Sequence, residues 1–326
     1  MAILRQAAYI ASLVPLVKAD IGIGGFLAVG NDAPWGLPDS SFRPSSQANA
    51  TGSFNIPAFN LSSSNPSLGG GGPNWSIEIS LQANIALNGS TDKSLSAAQK
   101  ADFTQLISMS LNNVDTTEVA KIASGNKMCG FILSGLNSNS TEDNQDDASK
   151  GGNCDFFSPQ CRQDLQSAAL DSATDCGSPT IPDSCNDWLG LSPSGDGVLQ
   201  MVTFDFTEKL LTGSRFFTFG SAPASENDET EYDTAIRNIW PVVFTWSHTS
   251  GTPPDNTTKG ASTLRCLRPN NIASGSRDPN APKKGGNGDD GDKGNGDHPG
   301  AASINSMPSL GAMLLLTASA SWFMLL

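Results

Sequence analysis

Six cysteines constrain this chain more than any other feature: Cys129, Cys154, Cys161, Cys176, Cys185 and Cys266. They follow an N-terminal segment with the pattern of a secretory leader. An even number of cysteines behind such a leader reads as a disulfide framework. No C-x-x-C occurs and the chain has only two histidines, so no zinc or other metal site is expected. Six cysteines allow 15 connectivities. Ser158-Pro159 is an N-cap followed by proline at the first helical position, which predicts a helix over Pro159–Ala173. Cys161 and Cys176 then lie at opposite ends of that helix. At about 1.5 Å per residue they are roughly 20 Å apart, beyond the roughly 7 Å that a bridge spans. This leaves 12 pairings. The most economical pairs Cys154, Cys161, Cys176 and Cys185 among themselves and ties Cys129 to Cys266.

The leader is Met1–Ala19. Arg5 precedes an apolar run, and small residues, Val17 and Ala19, stand before Asp20. That is a secretory signal with cleavage before Asp20. The other end, Leu310–Leu326, is apolar, uncharged and without a following basic segment. A short spacer and the small residues Gly300, Ala301, Ala302 and Ser303 precede it. Small residues, spacer and apolar tail form a signal for a glycosylphosphatidylinositol (GPI) anchor, with Gly300 the expected attachment residue. Residues 301–326 are then a propeptide.

Six N-x-S/T sequons occur, at Asn49, Asn60, Asn74, Asn88, Asn139 and Asn256. In a secreted chain they predict N-glycans, and glycans need surface positions. Residues 271–300 are Gly, Asp, Asn and Lys with almost no apolar side chain, which predicts a flexible stalk. The Gly-Asp pattern there lacks the EF-hand order of ligands. Residues 20–270 remain as the extracellular, glycosylated domain.

Charge narrows the choice of partner. Removing Arg5 and Lys18 with the leader leaves 17 basic against 32 acidic residues, a net charge of −15. The stalk accounts for −1, so the domain carries −14. No basic block is present, which argues against nucleic acid and anionic membranes as partners.

Period-2 alternation marks Trp75–Leu87 as a strand: Trp75, Ile77, Ile79 and Leu81 alternate with Ser76, Glu78, Ser80 and Gln82. Ser96–Gln99 is a capping box, and Phe103, Leu106, Ile107, Leu111 and Val114 then match a helical face. A second capping box, Asp115–Glu118, restarts a helix that Gly125 ends. Apolar runs at Ile21–Val29, Ser53–Leu61, Met128–Leu136, Val198–Phe206, Arg215–Phe219, Asn238–Ser247 and Ser262–Leu267 read as further strands. The expectation is an α+β, disulfide-linked extracellular domain with antiparallel strands and two or three short helices.

Catalytic chemistry is sparsely represented. A Ser-His-acid hydrolase needs a histidine base; the folded region offers only His248, which reads as a surface residue. His298 falls in the stalk. No G-x-S-x-G occurs. A carboxylate pair is the remaining route, and the candidates are Glu78 and Asp205, each between hydroxyl residues on a strand. A glycosidase requires their carboxyls within about 5–9.5 Å. Trp240, Val242, Phe244 and Trp246 share one side of a strand, which reads as core, or as a sugar-stacking platform if exposed. No cofactor is expected.

Leader, sequon-bearing cysteine-linked domain, polar stalk and lipid-attachment tail together resemble GPI-anchored surface glycoproteins of filamentous fungi. The resemblance covers the two ends and the stalk. The eight-cysteine pattern of fungal haem-capturing domains is absent. The resemblance implies a protein on the extracellular face of the plasma membrane or in the cell wall. Its partners would be the lipid of the outer leaflet and wall polysaccharide. The expected role is non-enzymatic: structural, adhesive or ligand-binding. The alternatives are an anchored carbohydrate-active hydrolase using the carboxylate pair, and a surface factor acting on a host or partner protein.

Overall fold

In the computed structural model, residues 25–30, 32–57, 75–114, 126–134, 136, 152–187, 200–213, 215–248 and 260–279 are described. The leader, the second capping box, Asn60, Asn74, Asn139, Asn256, His298, Gly300 and the apolar tail lie outside them.

Among the described residues, ten strands form two antiparallel sheets. Sheet one has the order β1 (Phe26–Val29), β7 (Phe217–Gly220), β4 (Phe103–Asn112), β3 (Trp75–Ala86), β2 (Ala50–Ile56), β10 (Asn271–Ile272). Sheet two has the order β6 (Gln200–Asp205), β5 (Asn126–Ser134), β8 (Trp240–His248), β9 (Gly260–Leu267). Among the described residues three helices accompany them: α1 (Pro159–Asp171), α2 (Glu208–Thr212) and α3 (Glu229–Arg237). The fold is α+β and mostly β, as the alternation of apolar runs predicts.

Alternation decides which face of each strand is buried. Ile77, Ile79 and Leu81 of β3, Ile107, Met109 and Leu111 of β4, and Phe217 and Phe219 of β7 point inward from sheet one. Met128, Ile132, Phe204, Val242, Phe244 and Trp246 meet them from sheet two. Phe204, Phe206, Phe216 and Phe244 form a ring cluster with centroids 5.0–6.3 Å apart. Each fully buried aromatic contributes roughly 1.5–3 kcal/mol. Trp240 and Trp246 are 0 % exposed; the aromatic row of β8 is core and offers no stacking platform.

A second core lies on the outer face of sheet two, where Leu165, Ala169 and Cys161 of α1 cover Phe131, Leu133, Val243 and Leu264. On the outer face of sheet one runs the segment Asp32–Ala48 with its three single-turn 310 helices. It is held by Thr218 Oγ1 donating to Asp32 O and by Gln82, which exchanges two hydrogen bonds with the Arg43 backbone.

The structure corrects two expectations. Phe103–Val114 is not helical. The capping box before it does form, with Ser96 N donating to Gln99 Oε1 at 3.0 Å and Gln99 N to Ser96 Oγ at 3.2 Å. It caps only the turn Gln99–Ala101, and Asp102 is already extended. From there Ile107, Met109 and Leu111 alternate with Ser108, Ser110 and Asn112. Pairing with β3 and β7 on both sides outweighs the chance 3.6-residue match.

The second correction concerns the disulfides, which are Cys129–Cys176, Cys154–Cys266 and Cys161–Cys185. The excluded pair, Cys161–Cys176, is indeed absent, and Cys161–Cys185 is one of the expected local bridges. Cys129–Cys266 does not form because Cys129 is in β5 and Cys266 in β9, with β8 between them. Two strand spacings amount to about 9–10 Å, beyond the reach of a bridge.

The folded unit runs on to Pro279. Residues 271–279, placed in the stalk on composition, pack on the domain: β10 pairs with β2, and Ala273 N donates to Asn49 O.

Candidate functional site

The two candidate carboxylates do not meet. Glu78 sits in sheet one between the inward-facing Ile77 and Ile79, so its side chain projects from the outer face and accepts from Asn112 Nδ2 at 3.2 Å. Asp205 follows Phe204 in sheet two and projects from the outer face there, 3.6 Å from Lys127 Nζ. Both sheets and the core between them separate the pair. Sheets of a sandwich pack roughly 10 Å apart before outward side chains are added, which puts these carboxyls outside the glycosidase window. His248 is the last residue of β8; its side chain is not among those described.

A second carboxylate set corrects the expectation that no E-x-D-x-x-E signature occurs in this sequence. Glu226-Asn227-Asp228-Glu229-Thr230-Glu231 spells E-x-D-x-x-E, the pattern of fungal wall transglycosylases. On a regular strand, alternation would put Glu226 and Asp228 on one face and Glu231 on the other. Here the string starts α3. Asp228 is its N-cap, accepting from Thr230 N at 2.9 Å and Glu231 N at 3.0 Å, and Glu229 pairs with Arg277 at 2.9 Å. Burial, then the neighbouring Asp228 carboxylate, push the Glu231 carboxyl above its ordinary range. The string therefore serves as a helix start.

A concave feature among the described residues lies elsewhere, between α1 and β9. It is an open groove of about 680 Å³. One wall is a polar helical face, Arg162, Gln163, Gln166 and Ser167, at the i, i+4 spacing that stacks side chains on one side. The other is β9, with Ser262, Leu264 and Arg265. Asn153 and Asp155 close the end at the helix start.

Local sequence fixes these walls. Ser158 Oγ accepts from Cys161 N at 3.1 Å and Pro159 occupies the first helical position, so the helix can start only there. Cys154–Cys266 ties the segment before α1 to β9, and Cys161–Cys185 ties α1 to the chain after it. Asp164, on α1, accepts from Ser184 Oγ and Gln160 Nε2, each at 2.7 Å. Those two bonds hold its carboxyl below the usual range, Ser184 the more strongly.

The groove is rich in hydrogen-bonding groups. Arg162 Nη1 donates to Asp155 Oδ1 at 2.6 Å and to Asn153 O at 3.3 Å. Arg265 donates to the carbonyls of Asn55 and Leu264 at 3.0 and 2.9 Å. The lining contains neither histidine nor thiol. Amides, hydroxyls and two guanidinium groups suit binding by hydrogen bonds. Among the described residues, no group of three or more His, Cys, Asp or Glu is placed to hold a metal ion.

Sequence reasoning did not find this groove. Arg162, Gln163, Gln166 and Ser167 look like any solvated helical face, and only the packing of α1 against an edge strand turns them into a wall. Of the sequons, Asn88 is exposed on the turn Leu87–Gly89, whereas Asn49 is half-buried and its Nδ2 donates to Ser276 Oγ at 3.3 Å. No family model, curated protein or solved structure matches this chain.

Proposed function

We propose that this chain is a GPI-anchored glycoprotein of a fungal cell surface or wall, and that its disulfide-braced sandwich serves adhesion or ligand binding without catalysis. The leader, the sequons and the attachment signal around Gly300 support the location. The observation that carries the non-catalytic half is the placement of Glu78 and Asp205 on opposite outer faces of the sandwich. That placement weighs against the hydrolase alternative. The groove between α1 and β9 is the surface that suits a bound partner, and the three disulfides keep its walls in place without a ligand.

Fractionation tests the reading. Phosphatidylinositol-specific phospholipase C treatment of intact cells, with detergent partitioning run beside it for acylated anchors, should release the protein. The released protein should bind wall polysaccharide, or another surface ligand, with no new reducing ends. Reducing-end release that is lost in Glu78→Gln or Asp205→Asn would restore the hydrolase.

A further inference from the structure

We infer that the Asp278–Pro279 peptide bond is an acid-labile release site, at which the disulfide-braced domain parts from its stalk. The scission itself needs no anchor; its meaning as release from a surface rests on the GPI reading proposed above.

The sequence supplies the chemistry once. Asp278-Pro279 is the sole Asp-Pro in the 326 residues. An aspartate before proline is the weakest peptide link in acid, for two reasons. Its carboxyl is held where it can close a five-membered ring on its own main-chain carbonyl, an intramolecular attack. The proline nitrogen belongs to a tertiary amide without an N–H and takes up a proton readily as it leaves. In the step, an Asp278 carboxyl oxygen bonds to the Asp278 main-chain carbon and the C–N bond to Pro279 breaks. The carboxyl proton passes to the proline nitrogen, which departs as a secondary amine with the bonding pair. One water then opens the cyclic anhydride and leaves Asp278 with two free carboxyls. The sum is hydrolysis, with water the one co-reactant.

The structure supplies the place. The folded unit runs to Pro279, so this is its last peptide bond. Asp278 is exposed, open to the water that the second step consumes. Residues on both sides of the bond are held. Tyr232 Oη donates to Arg277 O and Arg237 Nη2 to Pro279 O, each at 3.0 Å. After scission the domain side keeps its other fastenings: Arg277 on Asp233, β10 on β2, and Ala273 N on Asn49 O. Among the described residues the far side keeps the single bond from Arg237, too little to retain a severed chain in water. No disulfide spans the cut. A break between residues 154 and 266 would be bridged by Cys154–Cys266, whereas Cys266 is the last cysteine of the chain.

The ionisable groups of α3 that meet residues 277–279 are Glu229, Tyr232, Asp233 and Arg237, and Arg277 adds its own charge. β2, where the preceding residues pair, carries none. Burial, then Asp233, push the Tyr232 phenol up, and Asp278 adds to them, which puts the Asp278 carboxylate within reach of Tyr232.

The test uses the full chain, purified in detergent, held at pH 3 and at pH 7 and read by intact-mass spectrometry without reduction. At pH 3 a fragment ending at Asp278 and one starting at Pro279 should accumulate at least tenfold faster than scission products at any other aspartate. At pH 7 they should form at least tenfold more slowly. Pro279→Ala removes the leaving group and Asp278→Glu lengthens the ring; each should slow the cut at least tenfold. The fragment ending at Asp278 should keep its three disulfides and, back at pH 7, the hydrogen-exchange protection of β3 and β8 seen in the uncut chain. No such fragment at pH 3, equal scission at other aspartates, an unchanged rate in Asp278→Glu, or a released fragment that does not regain this protection would each overturn the inference. On intact cells, acid and phospholipase C should each free the domain, and acid should leave the residues from Pro279 onward with the membrane. Release by the lipase but not by acid refutes the inference and keeps the anchor. Scission of the purified chain with no release from cells by either treatment refutes the anchor, and the release with it, while the labile bond stands.

Discussion

Arg277 grips Asp233 through two parallel hydrogen bonds, Nε to Oδ1 at 2.8 Å and Nη2 to Oδ2 at 2.9 Å. Its third nitrogen lies 2.9 Å from Glu229 Oε2. Tyr232 Oη donates to Arg277 O, and Arg237 Nη2 to Pro279 O, each at 3.0 Å. Hydrogen bonding to Asp233 raises the guanidinium pKa above its ordinary value. Together these bonds lay residues 277–279, which composition places in the stalk, over α3. The fork is a bidentate arginine–carboxylate pair, the geometry that lysine cannot reproduce. Arg277→Lys and Arg277→Ala should therefore both free the strap. Hydrogen exchange should accelerate at Ala273 and Ser276, whose N–H groups are now bonded, with the melting temperature nearly unchanged because the pair is at the surface. Unaltered exchange in Arg277→Ala would show that β10 alone holds the strap.

The strap also shows where the sequence stops being informative. Ser158-Pro159 was legible because a cap and its helix are neighbours in the chain. β3 was legible because alternation is local. Arg277 finds Asp233 across 44 residues, and a run without apolar side chains gives no sign of such a partner. Phe103–Val114 failed for the related reason that its pairing with β3 and β7 is a tertiary event. The candidate site failed furthest: neither Glu78 nor Asp205 lies in the groove, and the polar face of α1 gains meaning only from β9 beside it.

The disulfide pairing makes an ordered stability prediction. In the chain-entropy treatment, longer closed loops confer more stability. Sequence separations of 112, 47 and 24 residues correspond to about 5, 4 and 3 kcal/mol. Paired serine variants should lose stability in the order Cys154/Cys266, Cys129/Cys176, Cys161/Cys185, read from denaturant midpoints. A non-reducing peptide map should give the three bridges; a Cys129–Cys266 peptide would contradict the strand order of sheet two.

Asp164 gives a pH signature. Its carboxyl is held below the ordinary value by Ser184, then Gln160. A depressed carboxylate adds stability that is full above its unfolded-state pKa, about 3.9, and disappears as pH falls through the lower folded value. Asp164→Asn should thus melt earlier than wild type at pH 7, and the two curves should converge below about pH 4. A gap that persists at pH 2 would assign the effect to lost packing.

Gly130 tests the tightness of the inter-sheet core. It lies opposite Phe204 in the β5–β6 ladder. A Cβ added there would come 2.4 Å from Phe204 Cζ and 2.9 Å from Phe206 Cε2. Those rings belong to the four-phenylalanine cluster, so neither has free space to turn into. Gly130→Ala should destabilise by about 1–3 kcal/mol, seen as a lower denaturant midpoint at unchanged slope. A neutral result would mean that the cluster repacks.

Glycan occupancy should divide two sequons that are equivalent in sequence. Asn88 is exposed on a surface turn with its side chain toward solvent. Asn49 is bonded on every side. Its Oδ1 accepts from Ala83 N at 2.7 Å, its N–H donates to Leu81 O at 2.8 Å, and its carbonyl accepts from Ala273 N at 2.9 Å. Its Nδ2, the atom a glycan would occupy, faces Ser276 Oγ, and the next residue, Ala50, is 0 % exposed. A sugar on Asn49 must push aside the strap that follows β10. Enzymatic deglycosylation in heavy-oxygen water should label Asn88 and leave Asn49 unlabelled in the folded, secreted protein. Asn49→Gln should cost about 1 kcal/mol through its displaced hydrogen bonds, and Asn88→Gln close to nothing beyond the loss of its glycan. Full labelling of Asn49 would require residues 273–276 to sit away from β2 in the glycosylated molecule.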